Sequence, residues 1–224
     1  MHFTEIIGQD YIKNHLIKSA VAGRIPHAQL FVGPEGSGTL AMAIAYAQLV
    51  LCKNTSQDNS EGNQSCNLKF QSLSHPDLHF IFPNTSNDEV KSKPKSADFL
   101  ADFREFTLAN PYGSLFDWYK HLGVKNKQGE IRVEDATDIL KALALKSYEG
   151  GYKIMIVWMA EKMNIAASNK ILKLLEEPPE KTLFLLIAED EEAIIQTIRS
   201  RCQVLHFGAL PEKIIAASLV NRFQ

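Results

Sequence analysis

The sequence predicts an α/β fold in which a doubly wound parallel sheet is flanked by helices, and three observations carry that prediction. Five short β-rich runs, Gln29–Val32, Leu78–Phe82, Ile154–Trp158, Leu183–Ala188 and Gln203–Phe207, alternate with helical patterns. Runs such as Ile154-Met155-Ile156-Val157-Trp158 and Leu183-Phe184-Leu185-Leu186-Ile187 are continuously apolar, as parallel strands covered on both faces must be. The first run leads directly into a glycine-rich turn, Gly33-Pro34-Glu35-Gly36-Ser37-Gly38-Thr39-Leu40, and then into a helical pattern from Ala41 to Leu51.

Two further helices follow from spacing. Met163, Ala167, Ile171, Leu174 and Leu175 line one side of a helix from about Met163 to Glu177. Pro178-Pro179 stops it, because proline has no N–H to donate and restricts the residue before it. A short helix from Glu191 to about Ile198 links the last two strands. Two segments break the rhythm. Residues 53–69 are polar and rich in Gly, Ser and Asn, which predicts a mobile surface loop. Residues 84–130 hold seven acidic and seven basic side chains and the cluster Pro111-Tyr112-Gly113-Ser114-Leu115-Phe116-Asp117-Trp118-Tyr119. They read as an inserted surface excursion with helix over Ala97–Leu108 and Phe116–His121, or as a partner-docking element. After the last strand, Leu210-Pro211-Glu212-Lys213-Ile214-Ile215-Ala216-Ala217 opens a helix with proline near its first turn. It is expected to begin a second domain that is cut off at Gln224.

Composition excludes several function classes. With 224 residues, 45% apolar and 22% charged, the chain is an ordinary globular protein with material for a sizeable core. A formal net charge of −2 leaves no overall basic surface for nucleic acid, so any such contact needs a local patch or an assembly. No 18-residue apolar stretch and no signal-peptide pattern is present. Three cysteines, Cys52, Cys66 and Cys202, do not make a secreted disulfide framework, so a cytoplasmic address is expected.

The glycine turn follows a phosphate-binding pattern, G-x-x-x-x-G-K-[ST], without its chemistry. Gly33 and Gly38 keep the spacing, but Thr39 stands where lysine reaches the phosphates and Leu40 where a hydroxyl holds Mg²⁺. Gly36-x-Gly38-x-x-Ala41 also matches a dinucleotide turn, yet the acidic residue that turn needs about 20 positions on falls in the polar stretch around Asp58. A plain strand-to-helix turn without ligand is the other reading; its backbone N–H groups could still bind phosphate weakly. An active phosphate-loop ATPase carries an acidic pair at the end of a later strand. Trp158 and Met159 occupy those positions here, with Glu161 in the following turn. Both halves of the hydrolytic machinery are thus missing together. At the end of the short second helix stands Arg199-Ser200-Arg201-Cys202, which alone reads as a solvated helix end with Cys202 buried at the start of a strand.

Assembled in order, these segments resemble the delta-prime family of bacterial DNA polymerase III clamp-loader subunits. The resemblance rests on Ile6-Ile7-Gly8-Gln9, Gly23-Arg24-Ile25-Pro26-His27-Ala28, His75-Pro76-Asp77, and Ile131-Arg132-Val133 running to Tyr148-Glu149-Gly150-Gly151. It also rests on Asn169-Lys170-Ile171-Leu172-Lys173-Leu174-Leu175-Glu176-Glu177-Pro178-Pro179 and Ser200-Arg201-Cys202. It implies an AAA+ module over 1–208, with its phosphate-loop strand central, and the start of a helical lid over 209–224. It further implies that Gly33, Gly36, Gly38 and Thr39 form a vestigial loop with weak or no nucleotide. Arg201 becomes an arginine finger serving a neighbour's ATP, positioned by Ser200 and Cys202 and assisted by Arg199. No cofactor of its own is implied; ATP belongs to the gamma/tau ATPase partners. The delta subunit, the sliding clamp and primed DNA complete the partners, and no membrane is involved. The family's four-cysteine zinc module is not matched: Cys52 and Cys66 lie in its region, but Lys69 and Ser72 stand where further cysteines are expected. Two thiolates do not close a tetrahedral site, even if His75 adds a ligand, so no metal is expected. The rival readings are a catalytically active ATPase subunit of the same assembly and a stand-alone nucleotide-binding enzyme.

Overall fold

A computed structural model describes residues 1–58, 62–124, 128–149 and 151–223. Strands β1 (Ala28–Val32), β2 (Leu78–Ile81), β3 (Lys153–Val157), β4 (Thr182–Ala188) and β5 (Gln203–His206) form one sheet. All neighbouring pairs are parallel, in the order β2-β3-β4-β1-β5. Each expected strand is found, within one residue at either end. The expectation of a central phosphate-loop strand is corrected: β4, buried along its whole length, takes the middle, and β1 lies between β4 and the edge strand β5.

The two faces of the sheet carry separate cores. Helices α1 (Asp10–Val21), α2 (Thr39–Leu51), α3 (Gln64–Phe70), α4 (Leu100–Ala109) and α5 (Leu115–His121) pack on one face. Every residue of α2 after Thr39 is buried, as its nearly unbroken apolar sequence requires. On the other face lie α6 (Val133–Ala144), α7 (Ile165–Glu176) and α8 (Gln196–Arg199). Ile139 and Leu143 of α6 meet the Ala167, Ile171, Leu174 and Leu175 stripe of α7 in that core. Asn164 caps α7, accepting the Ala167 N–H at 2.9 Å, so the helix starts after Met163 and ends just before the two prolines. The helix expected over Glu191–Ile198 contracts to α8, because Ile194 N–H already turns back to Glu191 C=O at 3.1 Å. A last helix, α9 (Glu212–Phe223), begins after Pro211.

The two irregular segments differ from expectation. The polar run over 53–69 contains α3, capped by Asn63, whose side chain accepts the Cys66 N–H at 3.1 Å. Its asparagines are not all solvated: buried Asn54 donates to Asn67 Oδ1 at 3.0 Å, as Gln48 does at 3.1 Å. Cys52 and Cys66 are joined in a disulfide that ties the end of α2 to α3. The 84–130 excursion is not a surface attachment, since its Phe99, Phe103, Phe106 and Trp118 are buried in the main core. Phe82 stacks on Phe103 at 3.9 Å, Trp118 stands edge-on to both, and its Nε1–H donates to Pro83 C=O at 2.8 Å. Residues 59–61 of the first segment, 125–127 of the second, Gly150 and Gln224 lie outside the described residues.

Candidate functional site

β1 delivers the glycine turn to the exit end of the sheet. Gly33 N–H donates to Ala188 C=O at 3.1 Å and Ser37 N–H to Pro34 C=O at 3.0 Å, closing a tight loop. Gly38, at φ 85°, is the N-cap of α2. A Cβ on Gly33 would sit 2.6 Å from Ser37 Oγ, and one on Gly38 would sit 2.8 Å from the Tyr112 ring. Packing at both positions, together with the left-handed backbone at Gly38, therefore calls for glycine without any ligand. Thr39 opens α2 half-buried, and Leu40, in the position of the Mg²⁺ hydroxyl, is a core residue.

Tyr112 is the residue that sequence reasoning missed. It reaches the loop from the α4–α5 connection, where its hydroxyl accepts the Ile7 N–H at 2.8 Å. Pro111, Tyr112 and Gly113 line the bay beside Gly36, Gly38 and Thr39, leaving a cavity of about 20 Å³. That is room for about one water. No spacing rule could have found this contact, which joins segments more than seventy positions apart.

The strand that should carry an acidic pair ends in hydrophobic side chains. Trp158 and Met159 are buried, and Trp158 packs on Phe103 at 5.5 Å and Phe106 at 6.0 Å. The position that orients water in an ATPase thus anchors the aromatic excursion. Glu161 lies in a short 3-10 turn, its carboxylate accepting the Glu189 N–H at 3.1 Å. Burial pushes the Glu161 and Glu189 carboxyls above their ordinary range, and Glu35 adds to the effect on Glu189. Glu35 and Glu189 line the bay, and no lysine or arginine among the described residues does.

Arg201 lies at the opposite end of the sheet. Gln29 pairs with Gln203 and Val32 with His206, so Arg201 precedes the entry of β5 while the phosphate loop follows the exit of β1. At about 3.3 Å per residue, the four paired positions alone separate the two levels by roughly 10 Å. Arg201 is exposed; its guanidinium donates to Thr197 C=O at 2.9 Å and pairs with Glu176 at 2.8 Å. Ser200 Oγ donates to Thr197 C=O at 3.2 Å, which fixes the same turn. Cys202 packs against the α6–α7 core, and burial pushes its thiol up to about 12, so it stays protonated. The Arg199 guanidinium, on the same turn, is paired with Glu192 at 2.6 Å and Glu191 at 3.6 Å.

Cys66, His75 and Glu149 present donor atoms within 4.8 Å of one another. With its sulfur bound to Cys52, Cys66 offers no thiolate, and Glu149 is paired with Lys69 at 2.7 Å. One imidazole and one engaged carboxylate fall short of a closed zinc set. His75 Nδ1 accepts the Asp77 N–H at 3.1 Å, and the Asp77 carboxylate accepts the Tyr148 N–H at 2.9 Å, so His75-Pro76-Asp77 is a structural tie.

Residues 8–211 match the family described as DNA polymerase III, delta subunit. The chain belongs to that family. DNA polymerase III subunit delta' of Bacillus subtilis is 26% identical over 214 residues, 96% of this chain and 52% of the relative. DNA polymerase III subunit gamma/tau of Mycobacterium bovis is 28% identical over 220 residues, 98% of this chain and 31% of the relative. This delta-family chain therefore spans about half the length of its curated delta' relative and about a third of the gamma/tau relative. A RuvB mutant structure from Thermotoga maritima superposes with TM-score 0.50 at 15% identity, over 98% of this chain and 55% of that one, a likeness of fold. The shared fold is a five-stranded parallel sheet flanked by helices on both faces. Among the described residues no helix is long and apolar enough to cross a membrane.

Proposed function

We propose that this delta-family chain acts as a non-hydrolysing, delta-prime-type clamp-loader subunit, and that Arg201 serves the ATP of a neighbouring gamma/tau-type subunit during sliding-clamp loading on primed DNA. In this reading the delta subunit completes the assembly, and the chain needs no cofactor of its own. The observation that carries the reading is the filled bay: where a triphosphate would lie, Tyr112 leaves about 20 Å³, with carboxylates and no lysine in the lining. Placing two or more phosphates among carboxylates without a countering cation or Mg²⁺ ligand is electrostatically unfavourable. Supporting the finger is its location. Arg201 sits at the far end of the sheet from this chain's own loop, on an exposed turn, tethered by a hydrogen bond to Thr197 C=O and by a surface ion pair that a γ-phosphate can outcompete.

Calorimetric titration of the chain with Mg-ATP tests the first half. We expect no saturable binding in the micromolar range; tight Mg²⁺-dependent binding with turnover favours the active ATPase reading instead. For the second half, Arg201→Ala goes into an assembly reconstituted with gamma/tau and delta subunits. Assembly should persist while hydrolysis at the served site falls roughly 10³-fold. An unchanged rate would remove Arg201 from that role.

A further inference from the structure

The opposite edge of the sheet holds a second cavity, of about 240 Å³, that has no part in this chemistry. It lies where β2 has no outer neighbour, between α4 on one face and α6 on the other, with Phe80, Leu100, Arg104 and Ile139 among its walls. Ile154 N–H donates to Asp77 C=O and Trp158 N–H to Ile81 C=O, so Asp77, His79 and Ile81 turn their backbone groups toward β3. Leu78 and Phe80 turn theirs outward. Leu78 N–H is answered by His75 C=O at 3.0 Å and Phe82 N–H by Ser96 Oγ at 3.2 Å. Between those closed ends stands Phe80, a wall of the cavity, whose outward N–H and C=O meet no hydrogen-bond partner among the described residues.

The charge of the cavity is also unanswered. Among the described residues Arg104 has no ion-pair partner, and its Nε is buried without a hydrogen bond. Burial holds its guanidinium below its ordinary value, the mark of a cation lacking a counter-charge. The two carboxylates on the wall are already engaged. Asp135 accepts the Ser96 N–H at 2.7 Å and the Arg132 N–H at 2.9 Å, while Asp138 pairs with Lys95 and Lys141, each at 3.2 Å. His79 is held neutral by burial. The group left to satisfy is therefore a cation, and the backbone left to satisfy is a strand edge.

We infer that this cleft binds an extended, acidic segment of a partner protein, which adds beside β2, exchanges backbone hydrogen bonds with Phe80 and sets a carboxylate on Arg104. Strand addition supplies the backbone bonds and the alternate side chain supplies selection. A charge-assisted bond to a half-buried guanidinium gives preference for Glu or Asp over their amides.

The test uses fluorescein-labelled acetyl-Val-Glu-Val-Glu-Val-amide and its Gln counterpart, with the chain as described. Fluorescence anisotropy should show saturable binding of the Glu peptide, at least tenfold tighter than the Gln peptide. Arg104→Gln should abolish that preference, with circular dichroism confirming the fold. The Glu/Gln comparison on the unaltered chain needs no variant, and peptide binding should slow hydrogen exchange at the Phe80 amide. Equal binding of the two peptides, an unprotected Phe80 amide, or no saturation at millimolar peptide overturns the proposal. Equal competition by acetate alone overturns it too, marking a simple anion site.

Discussion

The exit and entry ends of the β1–β5 strand pair are built in opposite ways. At the exit end, Gly33, Gly38, Tyr112, Trp158 and Met159 close over the place where phosphate binds in a related loop, and what remains is about 20 Å³. At the entry end, Ser200 and Arg201 stand on an exposed turn, and among the described residues Thr197 and Glu176 hold the guanidinium. The first end is made of shape and the second of charge. Closing a site takes many side chains from distant segments, whereas presenting a cation takes one side chain on a rigid support. The closed end should therefore dominate stability and the open end should contribute little to it.

Four variants press on that contrast, in falling order of effect. Trp118→Ala removes the ring against which Phe82, Phe103 and Phe106 pack, and should lower unfolding free energy by about 3–5 kcal/mol in denaturant titration. A loss under 1 kcal/mol would mean that the aromatic cluster does not hold the closed end together. Gly38→Ala meets both the Tyr112 ring and a left-handed backbone, so a loss of roughly 1–3 kcal/mol is expected. In the Tyr112→Ala background that penalty should shrink, leaving the backbone part; equal losses in both backgrounds would break the link between the loop and Tyr112.

Glu161 adds a pH-dependent contrast. Its folded pKa is raised by burial, so its proton stabilises the fold below the unfolded value, and that contribution is lost as pH rises through the folded value. Glu161→Gln should accordingly raise the melting temperature near pH 8 and leave it unchanged near about pH 3.5. A gain confined to acid pH would contradict the buried carboxyl. Smallest of all, Arg201→Ala should shift stability by no more than about 1 kcal/mol, because its ion pair is solvent-exposed. A larger loss would make Arg201 a structural residue and erase the difference between the two ends.

The sequence disclosed what depends on local pattern. Short β-rich runs located all five strands, Pro178-Pro179 located the end of α7, and the missing lysine at Thr39 was plain in the motif. It hid what depends on distant contacts. The asparagines of 53–69 looked like solvated loop because their mutual bonds, Asn54 to Asn67 above all, span segments that composition treats as unrelated. The charges of 84–130 suggested a surface, yet Phe99, Phe103, Phe106 and Trp118 among them face the core. Tyr112 was visible only as one aromatic residue in a cluster; its place over Gly38 depends on how α4 turns into α5.

Gln9 shows what a loop without a lysine is still good for. Its backbone is left-handed, at φ 58°, and its side-chain amide donates both to Ser37 C=O at 3.2 Å and to Gly208 C=O at 2.8 Å. One amide therefore pins together the chain before α1, the glycine turn and the segment leaving β5 toward α9. A displacement of that outgoing segment cannot occur without either breaking the pin or dragging the turn along. The glycine turn is in this sense a mechanical bearing, and the parts around it depend on its stiffness.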